Sequence, residues 1–389
     1  MPARLVALRL PTESFVAELD RVWDEGDAVL PIPESAPEAT VQRTLRSLRP
    51  AVLRQLDPSG AVVDEPLAEA PDVEDGAALV VPTSGSTGQP KGVVLTHDAL
   101  RASVAASLER LDCHEGEQWL LALPVHHVAG IQVVLRSRAL GTEPALSPEG
   151  RGDLGGADAA HVSLVPTQLR RLVDAGADLA RFRTILLGGA RPEPELLDTA
   201  RQAGANVVVS YGMTETSGGC VYDGVPLDGV EVEVADDGRI RLRGNTMAAG
   251  YRTRRGTVPV AASDGWLVTD DLGRLDGQGR LEVVGRVDDV IVSGGMNVPA
   301  TAVAATLRSH PQVRDAAVAG RHDTEWGEAV VAVIVPRDPD HPPSLDELRD
   351  HVRLEWPPSY APRDLVVVDA LPRDAMGKLP RAAVRLLVQ

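Results

Sequence analysis

The stretch TSGSTGQPKG at positions 83–92 gathers Thr83, Ser84, Ser86, Thr87, the glycines Gly85, Gly88 and Gly92, and Lys91 within ten residues. A phosphate chain is held by such a loop: glycine lets backbone N–H groups approach closely, hydroxyls donate, and an ammonium neutralises charge. No Ser or Thr follows the lysine, so the spacing differs from the common G-x-x-x-x-G-K-[ST] phosphate loop. The lysine is also rare in its chain. Of 39 basic side chains only Lys91 and Lys378 are lysine, the second in MGKLP, and all others are arginine. An ammonium is a compact point charge and a guanidinium a planar fork, so two retained ammonium groups point to sites that need the former.

Other candidates lie further along. Thr214 and Glu215 follow a strand-like run in YGMTET, where a hydroxyl can meet a phosphate and a carboxylate can hold a divalent cation. Asp270 and Asp271 are adjacent in GWLVTDDLG, and of nine histidines only His126 and His127, in VHHVAG, stand together. Cys113 and Cys220 have neither metal-ligand spacing nor the density of a disulfide framework, which suits a reducing cytoplasm.

These residues need a scaffold. At 389 residues, 43% apolar and 24% charged, the chain fits two or three folded units. From about 78 to 212, short apolar runs (ALVVPT, WLLALP, HVSLVP, RTILLGG, ANVVVSYG) alternate with helical patterns, which predicts an α/β domain with a largely parallel sheet covered on both faces. Ligands of such sheets sit at the carboxyl ends of the strands, where these runs break into PTSGS, LPVHH, LGGA and YGMTE. From about 228 to 284 the period falls to two and hairpins are expected, turning at Asp236–Gly238 and at Gly277–Gly279. Beyond Asp288 a separate small α+β domain is expected. The sequence reading is therefore 1–287 with a β-rich subdomain at about 228–284, then 288–389.

A net charge of −17 argues against nucleic acid or an anionic membrane as main partner, so any polyanionic ligand must be held by local cations and N–H groups. No window approaches the roughly 20 apolar residues of a membrane span, and the N-terminus has no signal-peptide pattern. A soluble cytoplasmic protein is expected, and a homo-oligomer is compatible with the composition.

The ordered motifs TSGSTGQPKG, LPVHHVAG, YGMTETSG, GWLVTDDLG, GRVDDVIVSGG and LPRDAMGKLPR resemble the adenylate-forming superfamily of acyl-CoA synthetases, luciferases and peptide-synthetase adenylation domains. The resemblance implies activation of a small-molecule carboxylic acid by Mg²⁺ and ATP to an acyl-adenylate, followed by displacement of AMP by coenzyme A after a mobile C-terminal domain swings. It implies a nucleotide site of Thr83–Gly88 with Lys91, Gly189, Tyr211, Gly212, Met213 and Thr214, with Glu215 on the metal. It also implies Asp271 and Arg286 at the ribose, Asp288 as hinge, and Lys378 between the acyl carboxylate and the α-phosphate. His127, Gln168, Gly212, Ser217 and Gly218 would line the acid pocket, His127 with a catalytic, gating position.

Two departures stand out. Asp270 replaces the glycine of the usual TGDLG, leaving two carboxylates to choose between, and GGMNVPATAVAATL lacks the acids common after the hinge. No aspartate in LPVHHVAG is available to pair an α-amine, so an acid without an adjacent ammonium is expected. The compact start, about 80 residues before the glycine loop, and GGCVYDGVPLDGV resemble bacterial o-succinylbenzoate–CoA ligases of menaquinone biosynthesis. Another aryl- or acyl-CoA ligase would share every motif.

Overall fold

Runs such as ALVVPT and VVVSYG are too short for buried helices and rich enough in β-branched residues for central strands. Both lie in strands of the computed structural model, which describes residues 3–67, 70–84, 90–146, 158–373 and 379–389. Gly85, Ser86, Thr87, Gly88 and Lys378 lie outside the described residues. Contacts divide the chain into two compact units, Met1–Val232 with Leu242–Leu267, and Glu233–Arg241 with Val268–Gln389. The hairpin of Leu267–Leu275 and Leu281–Arg286 falls, but for Leu267, in the second unit, ahead of the line drawn from sequence at Asp288.

The first unit holds two sheets. In one, the strands Ala145–Leu146, Trp119–Leu121, His161–Leu164, Thr184–Leu187 and Val207–Met213 run parallel in that order, and Gly218–Tyr222 and Val225–Pro226 close it antiparallel. Leu120, Val162, Leu164, Ile185, Leu187 and Val207 are buried against Leu169, Leu172 and Leu196 of the helices Pro166–Asp174 and Pro194–Gln202. This is the parallel sheet that the alternating pattern predicts.

The other sheet corrects the reading around the glycine loop. From sequence, ALVVPT joins the parallel sheet and the loop leads straight into a helix. Instead Ala77–Ser84 belongs to an eight-stranded mixed sheet, and the chain returns as the strand Pro90–Thr96, antiparallel to it, with Thr83 opposite Lys91. Only then does the helix His97–Arg110 begin, with the Thr96 hydroxyl accepting from the Ala99 N–H at 3.1 Å as its N-cap. A six-residue run like KGVVLT carries too little periodicity to reveal its partner. Gly250–Thr253 pairs antiparallel with the far edge of Pro90–Thr96, and Gly256–Pro259 completes that side.

In the second unit the expected turns appear: the Gly238 N–H donates to Ala235 O and the Gly279 N–H to Asp276 O, both at loop positions with positive φ. A further sheet joins Met296–Pro299, Val290–Ser293, Gly327–Pro336 and Val313–Asp323, with Asp364–Val367 parallel to Gly327–Pro336. Ala300–Arg308 and Leu345–Arg353 pack on it through Val303, Leu307, Leu348 and Val352. Ser344 and Glu347 form a reciprocal capping box at the start of the second of these helices.

One close approach fixes the loop after Trp119–Leu121. A Cβ on Gly130, in the first turn of the helix Val128–Ala139, would lie 2.2 Å from the Pro124 carbonyl oxygen. Backbone must move to relieve that clash. Gly130→Ala is expected to destabilise the protein by about 1–3 kcal/mol in denaturant unfolding, whereas Gly116→Ala, with open space around its Cβ position, reports only the cost of positive φ.

Candidate active site

The parallel strands of the first unit deliver their loops as the strand ends require. Trp119–Leu121 leads to His126 and His127, His161–Leu164 to Gln168, Thr184–Leu187 to Gly189, and Val207–Met213 to Thr214 and Glu215. Strand Val207–Met213 ends in a single 3₁₀ turn, Thr214–Thr216, held by the buried Thr216: its Oγ1 accepts from the Met213 N–H at 2.9 Å and lies 2.6 Å from Gly218 O. Glu215 sits inside this fixed turn. Gly212 allows the turn to close, because a Cβ there would meet Gly218 O at 2.1 Å.

Lys91 and Glu215 are brought together by a third residue. Tyr251 stands opposite Val93 in the antiparallel pairing, so Lys91, two residues before Val93, is its diagonal neighbour on the same face. The Lys91 ammonium lies 3.6 Å over the Tyr251 ring centroid, a cation–π contact, and the Tyr251 hydroxyl donates to Glu215 Oε1 at 2.9 Å. One aromatic side chain thus touches the cation on its face and the anion at its tip. The backbone supports the geometry: Ala248 N–H donates to Glu215 O at 2.8 Å and Ala249 N–H to Val94 O at 2.9 Å. At the loop mouth, Thr83 Oγ1 lies 3.4 Å from Lys91 O.

Tyr251 escaped the sequence reading. Its partner strand is more than 150 residues away in the chain, and GYRT carries only the short alternation of an edge hairpin. Gln132 was missed for a similar reason: it is buried in a helix and donates to Ser217 O at 2.7 Å.

Other nominated residues hold the scaffold of the site. Ser217 is buried at φ 58°, and its hydroxyl donates to Thr246 O at 2.8 Å. The adjacent Gly218 has φ 107°, and Gly189 has φ 82°. The Gln168 amide accepts from the Val165 N–H at 3.0 Å and donates to Ala122 O at 2.8 Å, tying the ends of two neighbouring strands. Tyr211 and Met213 lie in the strand paired with Gly218–Tyr222. His127 is exposed at the N-cap of the helix Val128–Ala139, with its ring 4.4 Å from that of His126. Burial, reinforced by the neighbouring His127, pushes His126 down to about 4, so that imidazole is neutral near pH 7. Arg170 pairs with Glu193, and Arg171 is exposed.

The second unit carries its own pair. Along Leu267–Leu275 burial alternates, so Asp271 points inward at 8% exposure while the Asp270 carboxylate faces solvent. Asp271 and Arg286 are cross-strand partners, and Arg286 Nη1 donates to Asp271 Oδ1 at 2.8 Å. Asp270 lies at 3.6 Å from Arg239 and 3.7 Å from Arg286. Asp288 belongs to the 3₁₀ turn Val287–Asp289 between two strands.

Comparison with known proteins identifies the family. Residues 14–252 match the AMP-binding enzyme family, and residues 302–378 match the AMP-binding enzyme C-terminal domain. A probable 2-succinylbenzoate–CoA ligase of Mycobacterium tuberculosis is 45% identical over 327 residues, 80% of this chain and 85% of the relative. A 2-succinylbenzoate–CoA ligase of Listeria monocytogenes is 33% identical over 78% of this chain and 68% of its own. Among solved structures, the Bacillus subtilis o-succinylbenzoate CoA synthetase in complex with the acyl-adenylate intermediate OSB-AMP is similar at a TM-score of 0.82 and 27% identity, covering 99% of this chain and 88% of that one. The same enzyme in complex with ATP and magnesium gives 0.81 at 27% identity, covering 98% and 89%. Among the described residues, no helix is long and apolar enough to cross a membrane. With a large domain and a C-terminal domain both matched, and relatives similar over most of their length, the chain belongs to the AMP-binding enzyme family.

Proposed function

We propose that the chain is an AMP-forming acid–CoA ligase acting on 2-succinylbenzoate, in the cytoplasm, as a step toward menaquinone. The observation that carries the chemistry is the Lys91–Tyr251–Glu215 contact, which gathers a phosphate-binding cation and a metal-binding carboxylate at the ends of two strands. The similarity to 2-succinylbenzoate–CoA ligases supports the choice of acid.

In the reaction, a carboxylate oxygen of the acid attacks the α-phosphorus of ATP, the bond to the β-phosphate breaks, and pyrophosphate leaves. The sulfur of coenzyme A then attacks the acyl carbon and AMP leaves. Two anions must meet in the first step on a protein of net charge −17, so local cations must offset their repulsion. Lys91 faces the phosphates leaving as pyrophosphate. Lys378 serves where carboxylate meets α-phosphate, and Thr214 donates to that phosphate. Asp271 accepts from the ribose hydroxyls, its orientation set by Arg286. His127 borders the acid, and Gln168 acts by holding the loops on either side of it. Asp288 is the pivot that lets one active site serve both half-reactions.

The Glu215 carboxylate suits Mg²⁺, which takes one or two protein carboxylates and completes its shell with phosphates and water. When bound there, Mg²⁺ neutralises charge on the triphosphate.

Thioester formation from a panel of acids tests the substrate: 2-succinylbenzoate is expected to exceed benzoate, succinate and medium-chain fatty acids. A fatty acid that wins by roughly tenfold, about 1.4 kcal/mol of transition-state preference, would overturn the acid while leaving the chemistry intact. Asp271→Ala is expected to raise the KM for ATP far more than Asp270→Ala, since only Asp271 faces inward; equal effects would refute that assignment. Tyr251→Phe keeps the ring over Lys91 and removes the hydroxyl from Glu215. A hydrogen bond to a charged group is worth about 1.5–3 kcal/mol, so kcat/KM for Mg-ATP should fall roughly tenfold or more, with a raised Mg²⁺ requirement. Parent-like Mg²⁺ dependence would show that the hydroxyl does not orient Glu215.

A further inference from the structure

At the other end of the parallel sheet, where strands begin, lies a cluster that the proposed reaction does not use. Trp119 and His161 start neighbouring strands directly opposite one another, and their rings stack with centroids 4.9 Å apart. Glu117, two residues before Trp119, therefore points to the same side as His161, and His161 Nε2 lies 3.0 Å from Glu117 Oε2. After the helix His97–Arg110, Asp112 adopts φ 52° and turns the chain so that Cys113 faces this pair. One sulfur, one imidazole nitrogen and one carboxylate oxygen from Cys113, His161 and Glu117 all lie within 4.8 Å of each other.

We propose that Cys113, Glu117 and His161 form a binding site for a thiophilic divalent ion of the Zn²⁺ class, separate from the Mg-ATP site. A tetrahedral zinc with bonds of about 2.0–2.3 Å keeps its ligand atoms about 3.3–3.8 Å apart, so modest side-chain movement closes the shell. Three protein donors of this mixed type leave the fourth position to water. The carboxylate is already aimed: the His114 N–H donates to Glu117 Oε2 at 2.7 Å, and Arg183 Nη1 donates to Oε1 at 2.6 Å, leaving Oε2 toward the cluster. Such outer contacts fix ligand orientation in metal sites.

Burial and the Glu117 charge push the Cys113 thiol up to about 12, so without a metal it keeps its proton, and an ion would bind by expelling it. Glu117 is held at about 2 by the His114 N–H and the His161 and Arg183 side chains, against the upward push of burial. His161 is fully buried, and burial lowers its pKa while the Glu117 carboxylate works against that shift. In the metal-free protein Nε2 donates to the ionised Glu117 carboxylate, so an ion would take Nε2 only as the ring proton moves to Nδ1, which has no hydrogen-bond partner among the described residues.

Cobalt(II) is the probe, because a thiolate ligand gives a charge-transfer band in the near ultraviolet that oxygen ligands at a magnesium site do not. The full chain, stripped with a chelator and given one equivalent of Co²⁺, is expected to show this band and to lose it when Zn²⁺ is added. Cys220→Ala should retain the band, Cys113→Ser should abolish it, and Glu117→Gln should weaken Co²⁺ binding by more than the roughly 100-fold that loss of an outer contact costs at most. Zn²⁺ should raise the thermal midpoint of the parent and not of Cys113→Ser. No thiolate band in the parent, or a band that survives Cys113→Ser, overturns the site, whatever the outcome of the ligase assays.

Discussion

The active-site geometry hangs on one cross-strand register, Tyr251 opposite Val93 and Arg252 opposite Gly92. That pairing sets the Tyr251 ring beneath the Lys91 ammonium and its hydroxyl on Glu215. A slip of one residue would turn Tyr251 to the opposite face of the sheet and separate the two charges. Arg252, pointing the other way, locks the register: its buried guanidinium donates to the carbonyls of Leu48, Pro71 and Asp72, each at 3.0 Å. The staple on one face therefore holds the charged pair on the other.

The same division of labour recurs among the arginines. Arginine forks serve as structural ties throughout the first unit. Buried Arg54 binds Glu18 at 2.7 Å and Asp64 at 2.7 Å, and buried Arg136 reaches the hydroxyls of Ser107 and Tyr222. Several fixed acceptors in one plane suit a guanidinium, whereas a phosphate site that opens and refills suits a single ammonium on a flexible stem. Strong net negative charge makes local placement of such cations decisive, because the global field repels any anionic ligand.

Much of this was legible in the sequence where the signal is local. The parallel strands from Trp119 to Met213 and the two hairpins with their Gly238 and Gly279 turns follow from short patterns. The choice between Asp270 and Asp271 stays open in the sequence; the burial along the strand Leu267–Leu275 puts 267, 269 and 271 on the inner side. What the sequence hides is pairing at a distance. The strand Pro90–Thr96 reads as the tail of a loop because its neighbours are a hairpin partner and a strand from beyond residue 249. Tyr251 and Gln132 carry no mark of their positions for the same reason, and the Cys113–Glu117–His161 cluster forms only when two parallel strands bring loop and strand start together.

The central claim is that one chain uses Mg-ATP to adenylate a carboxylic acid before coenzyme A enters. Exchange of labelled pyrophosphate into ATP isolates that step. The account predicts exchange that requires both Mg²⁺ and 2-succinylbenzoate and proceeds in the complete absence of coenzyme A. Exchange that appears only when coenzyme A is added, or that is indifferent to the acid, would contradict it.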